Sequence, residues 1–288
     1  MQLPRSGLGN VLTLFGLILT LTLLNSAYAQ HAAPSIKPIE VKVVVAAMFE
    51  DGELTGDAPG EMQLWVERLK LDQSFPFPLG EYELRMSKEG VLGIVLGGGI
   101  ANATASVMAL GMDPRFDLTH AYWLIAGIAG ADPTDMSLGS AAWARWVVDG
   151  DLLYEIDGRE IPDSWQYGFI PLGGNQPADK PEDIYTEWTL DTLAFELNQS
   201  LTYWAFRLTK DVPIPDGAEI KTFRAQFKGY PMATRPPFVT IGETLSASTY
   251  WHGELMNKWA NDWIKLYTHQ EDRKTEMNFM TSNMEDSG

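Results

Sequence analysis

The sequence predicts an α/β protein built on a parallel sheet, and three observations support this class. Residues 91–130 contain, in order, a buried strand, a glycine-rich turn, a helix of small residues, a second buried strand and a second glycine-rich turn. Residues 41–48 (VKVVVAAM) form a β-branched run typical of a buried strand, and an acidic turn follows. Residues 238–242 (FVTIG) predict a later return to a sheet. Turns that follow parallel strands line the ligand crevice of open α/β folds, so we expect a small-ligand site there.

The N-terminus has the pattern of a secretory signal peptide. A basic residue precedes an apolar run from Val11 to Leu24, and Ala27-Tyr28-Ala29 supplies an A-x-A cleavage site with a mature start at Gln30. The run is short for a membrane span, and an uncleaved anchor is the alternative. We therefore expect residues 1–29 to be a signal peptide, residues 30–40 to be a linker, and the mature protein to be periplasmic or secreted.

The composition argues against several classes of function. The formal net charge of −17 disfavours nucleic-acid binding, because backbone phosphates need basic partners. The chain has no cysteine, and its four histidines are scattered without ligand spacing, so we expect no metal site. No segment after the N-terminal run is long and apolar enough to span a bilayer, and neither a nucleophile elbow nor a phosphate-binding loop motif occurs. The remaining glycine turns, carboxylates and aromatic residues suit sugars and bases.

The first half of the chain supplies the elements around these turns. Apolar residues within 61–71 predict a helix, and residues 82–86 predict a strand that pairs with the one beginning at Val91. The turn at residues 97–99 can adopt positive φ, and the helix start behind it suits an anion or a hydroxyl oxygen. The turn is a poor dinucleotide fingerprint, because Asn102 replaces its last glycine and no acidic residue ends the next strand.

The second half alternates between sheet, loop and helix. The predicted strands are residues 140–148, 152–156 and 277–281. The predicted helices are residues 190–210 and 255–264, the latter with Trp259 and Trp263 on one side. The predicted loops are residues 158–181 and 211–237. Arg145 lies within the first of these strands, and we expect it to form a structural ion pair with an acidic neighbour.

From Val41 to the C-terminus the sequence resembles the purine nucleoside permease family of the nucleoside phosphorylase superfamily. The matching stretches are residues 46–51 (AAMFED), 97–162, 168–173 (GFIPLG), 246–253 (SASTYWHG) and 280–288 (MTSNMEDSG). The resemblance implies a three-layer α/β sandwich of nucleoside phosphorylase type, with a central mixed sheet flanked by helices, and frequent homo-oligomers. It makes residues 41–288 one nucleoside phosphorylase-like domain, to which we expect a further C-terminal helix and strand to belong.

The same resemblance implies how a nucleoside is held. Asn283, Met284 and Glu285 resemble the superfamily's Met-Glu element, whose glutamate accepts hydrogen bonds from the ribose hydroxyls while the methionine packs under the sugar. Tyr250, next to Trp251, lies where a ring often stacks on the base, and ordinary packing is the alternative. A carboxylate at the ribose would also stabilise the positive charge that develops when an N-glycosidic bond breaks.

Two further groups complete the implied site. The turn residues are Gly98, Gly99, Asn102, Gly127 and Gly130. In related nucleosidases an acid of the first turn, here the acidic turn that follows residues 41–48, activates water. This makes Glu50 and Asp51 the catalytic candidates beside Glu285. The alternative is that these two residues belong to a solvated acidic loop. The first turn has no arginine of the kind that clamps phosphate, so phosphate remains only a candidate co-substrate and no cofactor is expected.

Two hypotheses follow. The chain is an exported purine nucleoside-binding protein that serves nucleoside uptake, or it is a periplasmic nucleoside hydrolase or phosphorylase. Both make a purine nucleoside the ligand.

Overall fold

The computed structural model of the chain describes residues 37–184, 193–268 and 282–283. Three predictions fall outside the described residues: the signal peptide with its cleavage site, the strand at residues 277–281, and the pair Met284-Glu285.

The chain divides into two compact units, residues 1–39 with 114–117, and residues 40–113 with 118–288. In the first unit, the backbone N–H of Ile39 donates to the carbonyl of Arg115 at 2.8 Å, and the Arg115 guanidinium lies 5.4 Å from the centre of the Phe116 ring. Every residue discussed as part of the site belongs to the second unit.

The described elements alternate along the chain. The strands are β1 (Ile39–Glu40), β2 (Val43–Ala47), β3 (Gln73–Phe75), β4 (Leu84–Met86), β5 (Val91–Val95), β6 (Phe116–Asp117), β7 (Tyr122–Ile125), β8 (Ala141–Asp149), β9 (Tyr154–Glu155), β10 (Phe169–Ile170), β11 (Ala194–Glu196), β12 (Val239–Ser246) and β13 (Ser282–Asn283). The α-helices are α1 (Gln63–Leu69), α2 (Ile100–Gly111), α3 (Gln199–Thr209), α4 (Ala218–Arg224) and α5 (Glu254–Thr268).

A five-stranded mixed sheet in the order β3-β4-β5-β2-β7 carries the first part of the site. Strand β2 lies between β5 and the edge strand β7 and pairs in parallel with both, so that Val43 faces Val91 on one side and Tyr122 on the other. Strand β4 pairs antiparallel with β5. The predicted parallel arrangement is confirmed, and the turns that follow β5, β2 and β7 lie next to one another at a single sheet edge.

The prediction that residues 122–126 form a buried strand is wrong about burial. Strand β7 is the edge of this sheet among the described strands, and Tyr122 is 62% exposed. The apolar run was interpreted as buried, but hydrophobicity alone does not distinguish a central strand from an edge strand.

A second mixed sheet, in the order β11-β8-β12-β13, lies within the same unit. Strands β8 and β12 are parallel, whereas β11 pairs antiparallel with β8. Helix α5 buries Trp259 and Trp263 as predicted, and the indole N–H of Trp263 donates to the carbonyl of Asp149 at 3.0 Å. The α/β class, with mixed sheets and accompanying helices, is therefore confirmed.

The ion pair predicted for Arg145 forms with Glu243 on the neighbouring strand. Both side chains are buried. The β8–β12 register shifts at this point, because Gly242 faces Ala144 whereas Thr244 faces Val147.

The prediction of one helix over residues 190–210 is wrong in its first part. Residues 194–196 form β11, and α3 begins only after Asn198, whose side chain accepts the N–H of Leu201 at 3.0 Å. An asparagine that caps a helix favours a start at the next residue. The predicted loops also contain short elements, α4 and β10.

None of the helices in the described ranges is long and apolar enough to cross a membrane.

Candidate functional site

The three turns at the edge of the first sheet are tied together by their backbones. The N–H of Gly97, after β5, donates to the carbonyl of Met48, after β2, at 2.9 Å. On the other side, the N–H of Ala126 donates to the carbonyl of Ala46 at 2.8 Å. The acidic turn after β2, here called the first turn (residues 49–53), therefore lies between the first glycine turn (residues 97–99) and the second (residues 127–130). This is the crevice geometry of parallel α/β sheets.

The first glycine turn leads directly into α2. Gly99 precedes the helix with φ of +92°, a left-handed value that favours glycine, and no side chain of the turn itself caps the helix. The side-chain amide of Asn102 donates to the carbonyl of Gly98 at 2.7 Å, so this predicted binding residue closes its own turn. Gly98 is exposed, and a Cβ placed there would meet open space.

A fourth turn, which follows β12 in the second sheet, reaches the start of α2. The hydroxyl of Ser248 accepts the N–H of Ile100 at 3.4 Å. The N–H of Ser248 in turn donates to the Asp151 carboxylate at 2.7 Å. The SASTYWHG stretch thus lies beside the first glycine turn. Neither Ser248 nor Asp151 was singled out from the sequence, because nothing local connects Ser248 to Ile100, 148 residues away, or to Asp151, 97 residues away.

The two adjacent aromatic residues of this turn have different surroundings. Tyr250 is 63% exposed. The Trp251 ring is half-buried and lies edge-on to Trp259, with ring centres 6.2 Å apart, against the core cluster that α5 contributes to. The Tyr250 ring is therefore available to stack on a base. The Trp251 ring instead packs against the core, which was the alternative to base stacking for an aromatic residue of this turn.

The carboxylate of Glu50 is fully engaged by backbone groups. It accepts the N–H groups of Asp51 at 3.0 Å and Met62 at 2.8 Å, and also those of Gly60 and Gln63. A carboxylate offers about four acceptor positions, so these four donors occupy them all. Glu50 therefore holds the acidic turn onto the start of α1.

The side chain of Asp51, in contrast, is exposed beside this fixed turn. The Tyr82 hydroxyl donates to the carbonyls of Glu50 at 3.2 Å and Gly52 at 3.1 Å. Burial, with a contribution from the Glu50 charge, raises the pKa of Tyr82. Gly60 is required here, because a Cβ would lie 2.8 Å from both the Glu50 carboxylate and the Asp51 nitrogen. Of the two acidic candidates, Asp51 is the one whose carboxylate faces solvent.

A further acidic residue, Glu61, joins the first turn to the second glycine turn. It is 7% exposed, and its two oxygens accept the N–H of Met48 at 2.8 Å and the N–H of Ile128 at 2.7 Å. Gly127 and Gly130 flank this contact and are exposed. Sequence reasoning placed Glu61 at the start of a helix and missed this contact.

The expected Met-Glu element begins beside the fourth turn. Strand β13 pairs in parallel with β12, so that Asn283 is opposite Ser246. The backbone of the element therefore begins at the end of the strand that leads to Ser248. Met284 and Glu285 lie outside the described residues.

The loop after the second glycine turn is anchored to α5. Asp132 is buried and accepts the N–H of Thr134 at 2.8 Å and the side-chain amide of Asn261 at 3.0 Å. Burial, together with the Asp132 charge, raises the pKa of Asp135 to about 6, against smaller opposing effects of Thr134 and Lys265. Within the described ranges, no group of three or more histidines or carboxylates is arranged to hold a metal ion.

Comparison with known proteins gives one extensive match. The model of the purine nucleoside permease (NUP) family matches residues 40–288. A probable purine nucleoside permease of Schizosaccharomyces pombe is 33% identical over 186 residues, which cover 64% of this chain and 53% of that protein. A purine nucleoside permease of Candida albicans is 29% identical over 179 residues, which cover 61% of this chain and 43% of that protein. The chain spans about half the length of the curated relatives it matches.

Solved structures overlap with the chain more weakly. A 5'-methylthioadenosine/S-adenosylhomocysteine nucleosidase of Neisseria meningitidis gives a TM-score of 0.43 at 12% identity and covers 84% of this chain and 75% of its own. A futalosine hydrolase mutant of Helicobacter pylori gives 0.40 at 12% identity, with 86% and 81% covered. At this level of overlap the structures do not bear on function, and the assignment depends on the family match.

Proposed function

The chain belongs to the purine nucleoside permease family, and on this premise we propose that it is an exported purine nucleoside-binding protein that serves nucleoside uptake. The names of the relatives supply the ligand class and the transport role. The observation that carries the proposal is a series of contacts that joins four turns from both sheets. The acidic turn lies between the two glycine turns, and Ser248 contacts the start of α2 after the first glycine turn.

The chemistry of these turns suits a nucleoside. Exposed main-chain groups of the two glycine turns can bind hydroxyl or phosphate oxygens, because no side chain covers Gly98 or Gly130. Tyr250 offers an exposed ring to a purine. Glu285, which the family resemblance assigns to the ribose, follows the strand that runs beside β12.

Isothermal titration calorimetry of the full chain with inosine, adenosine and guanosine tests this proposal. We expect saturable binding of at least one of the three and none of free ribose, since base and sugar contribute together. The absence of heat with all three nucleosides would refute it.

A second candidate function is cleavage of the N-glycosidic bond, and the exposed carboxylate of Asp51 beside the glycine turns favours it. In this mechanism Asp51 removes a proton from water, the oxygen forms a bond to the ribose anomeric carbon, and the bond from that carbon to the purine nitrogen breaks. The purine leaves with the electron pair of that bond and takes up a proton from solvent, to which Asp51 releases its own. Glu285 would hold the ribose hydroxyls and stabilise the oxocarbenium-like charge. With phosphate in place of water, the products would be free purine and ribose 1-phosphate.

Incubation of the full chain with inosine, with and without phosphate, distinguishes these outcomes. Purine release without phosphate indicates hydrolysis, release only with phosphate indicates phosphorolysis, and release in neither condition refutes catalysis. Binding without release supports the first proposal.

Export is part of the proposal and has its own test. Expression of the full chain in a bacterium, followed by fractionation and N-terminal sequencing, should give a periplasmic or secreted product that begins at Gln30. A product that retains residues 1–29 in the membrane fraction would identify the uncleaved anchor instead.

A further inference from the structure

The contact between Glu61 and the two turns assigns a role to a residue that neither proposed function uses. Its carboxylate binds the N–H of Met48, just after β2, and the N–H of Ile128, after β7. The two donors are 80 residues apart in the chain but follow adjacent strands of one sheet.

The contact lies where the regular pairing of these strands ends. The last ladder bond recorded between them joins the Ala126 N–H to the Ala46 carbonyl at 2.8 Å. Beyond it, among the described residues, the recorded link between the two turns is the Glu61 side chain. Glu61 itself is 7% exposed, and both of its hydrogen bonds are partly buried, which strengthens them relative to bonds in water.

The chemistry of this position requires a carboxylate. Two N–H donors approach one side-chain group, and each needs an acceptor oxygen. A glutamate offers an acceptor oxygen to each donor, whereas a glutamine would present its own N–H₂ to one of them. That donor would lose its acceptor.

We propose that Glu61 is a positioning residue that sets the separation of the first turn and the second glycine turn, and with it the width of the nucleoside crevice. The effect on ligand rests on the proposed function, whereas the effect on the turns does not. Glu61 acts through the backbones of Met48 and Ile128 and needs no contact with substrate.

The test compares the wild-type chain with Glu61→Gln and with a matched control, Glu67→Gln. Glu67 lies on α1 and is exposed, and it also accepts a backbone N–H, that of Gly56, at 3.1 Å. Amide hydrogen exchange followed by NMR measures how well the backbone N–H groups of the two turns are protected. Calorimetry measures the affinity of the crevice for inosine.

In Glu61→Gln, the amides of Met48 and Ile128 should exchange roughly tenfold faster or more, because each loses part of a charge-assisted hydrogen bond. The amides of Gly97 and Ala126 should keep their protection, which distinguishes this effect from general destabilisation. Inosine should bind roughly tenfold more weakly. Glu67→Gln should change neither the exchange of the Met48 and Ile128 amides nor the binding of inosine.

Unchanged exchange at either amide, or faster exchange with unaltered inosine affinity, would overturn the proposal. If the wild-type chain binds no nucleoside, the proposed function fails, and the exchange rates alone decide whether Glu61 fixes the turns. If Glu61→Gln does not fold, Glu61→Asp provides the test. Its shorter carboxylate should protect one of the two amides and not the other, and protection of both would overturn the proposal.

Discussion

Arg145 and Glu243 form a buried ion pair between the parallel strands β8 and β12, where the register of the two strands shifts. Both side chains are buried, and the opposite charge of the pair compensates part of the cost of removing each charge from water.

Removal of one partner should therefore be costly. We expect Arg145→Met to lower the free energy of unfolding by about 3–5 kcal/mol, since it leaves the Glu243 carboxylate buried without its cation. The double variant Arg145→Met/Glu243→Leu should recover most of this loss. Urea denaturation followed by circular dichroism measures both. A single variant as stable as the wild type would show that the pair is not buried in solution.

Substitution of the two acidic residues of the first turn should have different effects on stability and on activity. Glu50→Gln should lower the free energy of unfolding by about 1–3 kcal/mol, because at least one of its four backbone donors loses its acceptor. Asp51→Asn should change stability by less than about 0.5 kcal/mol, as exposed substitutions do. Should the chain release purine, Asp51→Asn should slow the release, whereas Glu53→Gln in the same turn should not. A larger stability loss for Asp51→Asn than for Glu50→Gln would reverse these assignments.

Substitution of the two adjacent aromatic residues should also have different effects, one on nucleoside binding and the other on stability. Tyr250→Ala should weaken nucleoside binding by about 1–3 kcal/mol, the value of one stacked base, with little change in melting temperature. Trp251→Ala should instead lower the free energy of unfolding by about 2–3 kcal/mol, because it removes a half-buried ring from the packing around Trp259. Calorimetry and thermal denaturation of both variants provide the measurements. Equal stability losses would contradict the difference in burial.

Stability should depend on pH through Asp135. Its pKa is raised from 3.8 to about 6 by burial and by Asp132, so the folded state holds a proton that the unfolded state releases. The free energy of unfolding should therefore fall as pH rises from about 4 to about 6, by about 1 kcal/mol after allowance for solvent screening.

Asp135→Asn tests this dependence. The variant should equal the wild type near pH 4 and exceed it in stability at pH 7, in a series of denaturation curves across that range. The exposed Asp163→Asn serves as the control and should follow the wild-type profile. A fall in stability between pH 4 and pH 6 that is equal in the wild type and in both variants would show that Asp135 is not the group responsible.

The first sheet could be predicted from local sequence because β2 and β5 are short, valine-rich runs with few polar residues between turn signals. The start of α3 could not be located in the same way. Leu193, Phe195 and Leu197 recur at every second residue, which is strand spacing, yet they precede a helical pattern without a break. Their assignment to β11 depends on pairing with β8, about 50 residues away. Local patterns do not record such a partner.

In the site, too, local features could be predicted from the sequence, whereas contacts between distant residues could not. The glycine turns and the acidic turn were predicted from the residues that form them. Glu61 and Ser248 were not, because their partners lie 67 and 148 residues away. The roles of Glu50 and Asp51 were also interchangeable in the sequence, and only the position of α1 shows which carboxylate is enclosed.

The contact between Ser248 and Ile100 has a consequence for synthesis of the chain. Its two residues are 148 positions apart, and closing so long a loop carries an entropic cost that delays such contacts in folding. During translation, both glycine turns leave the ribosome long before β12 does. We therefore expect a nascent chain to fold its first sheet while the start of α2 is still open to water. Nucleoside binding should then appear late and abruptly. In a refolding experiment, its onset would report the time at which Ser248 contacts Ile100.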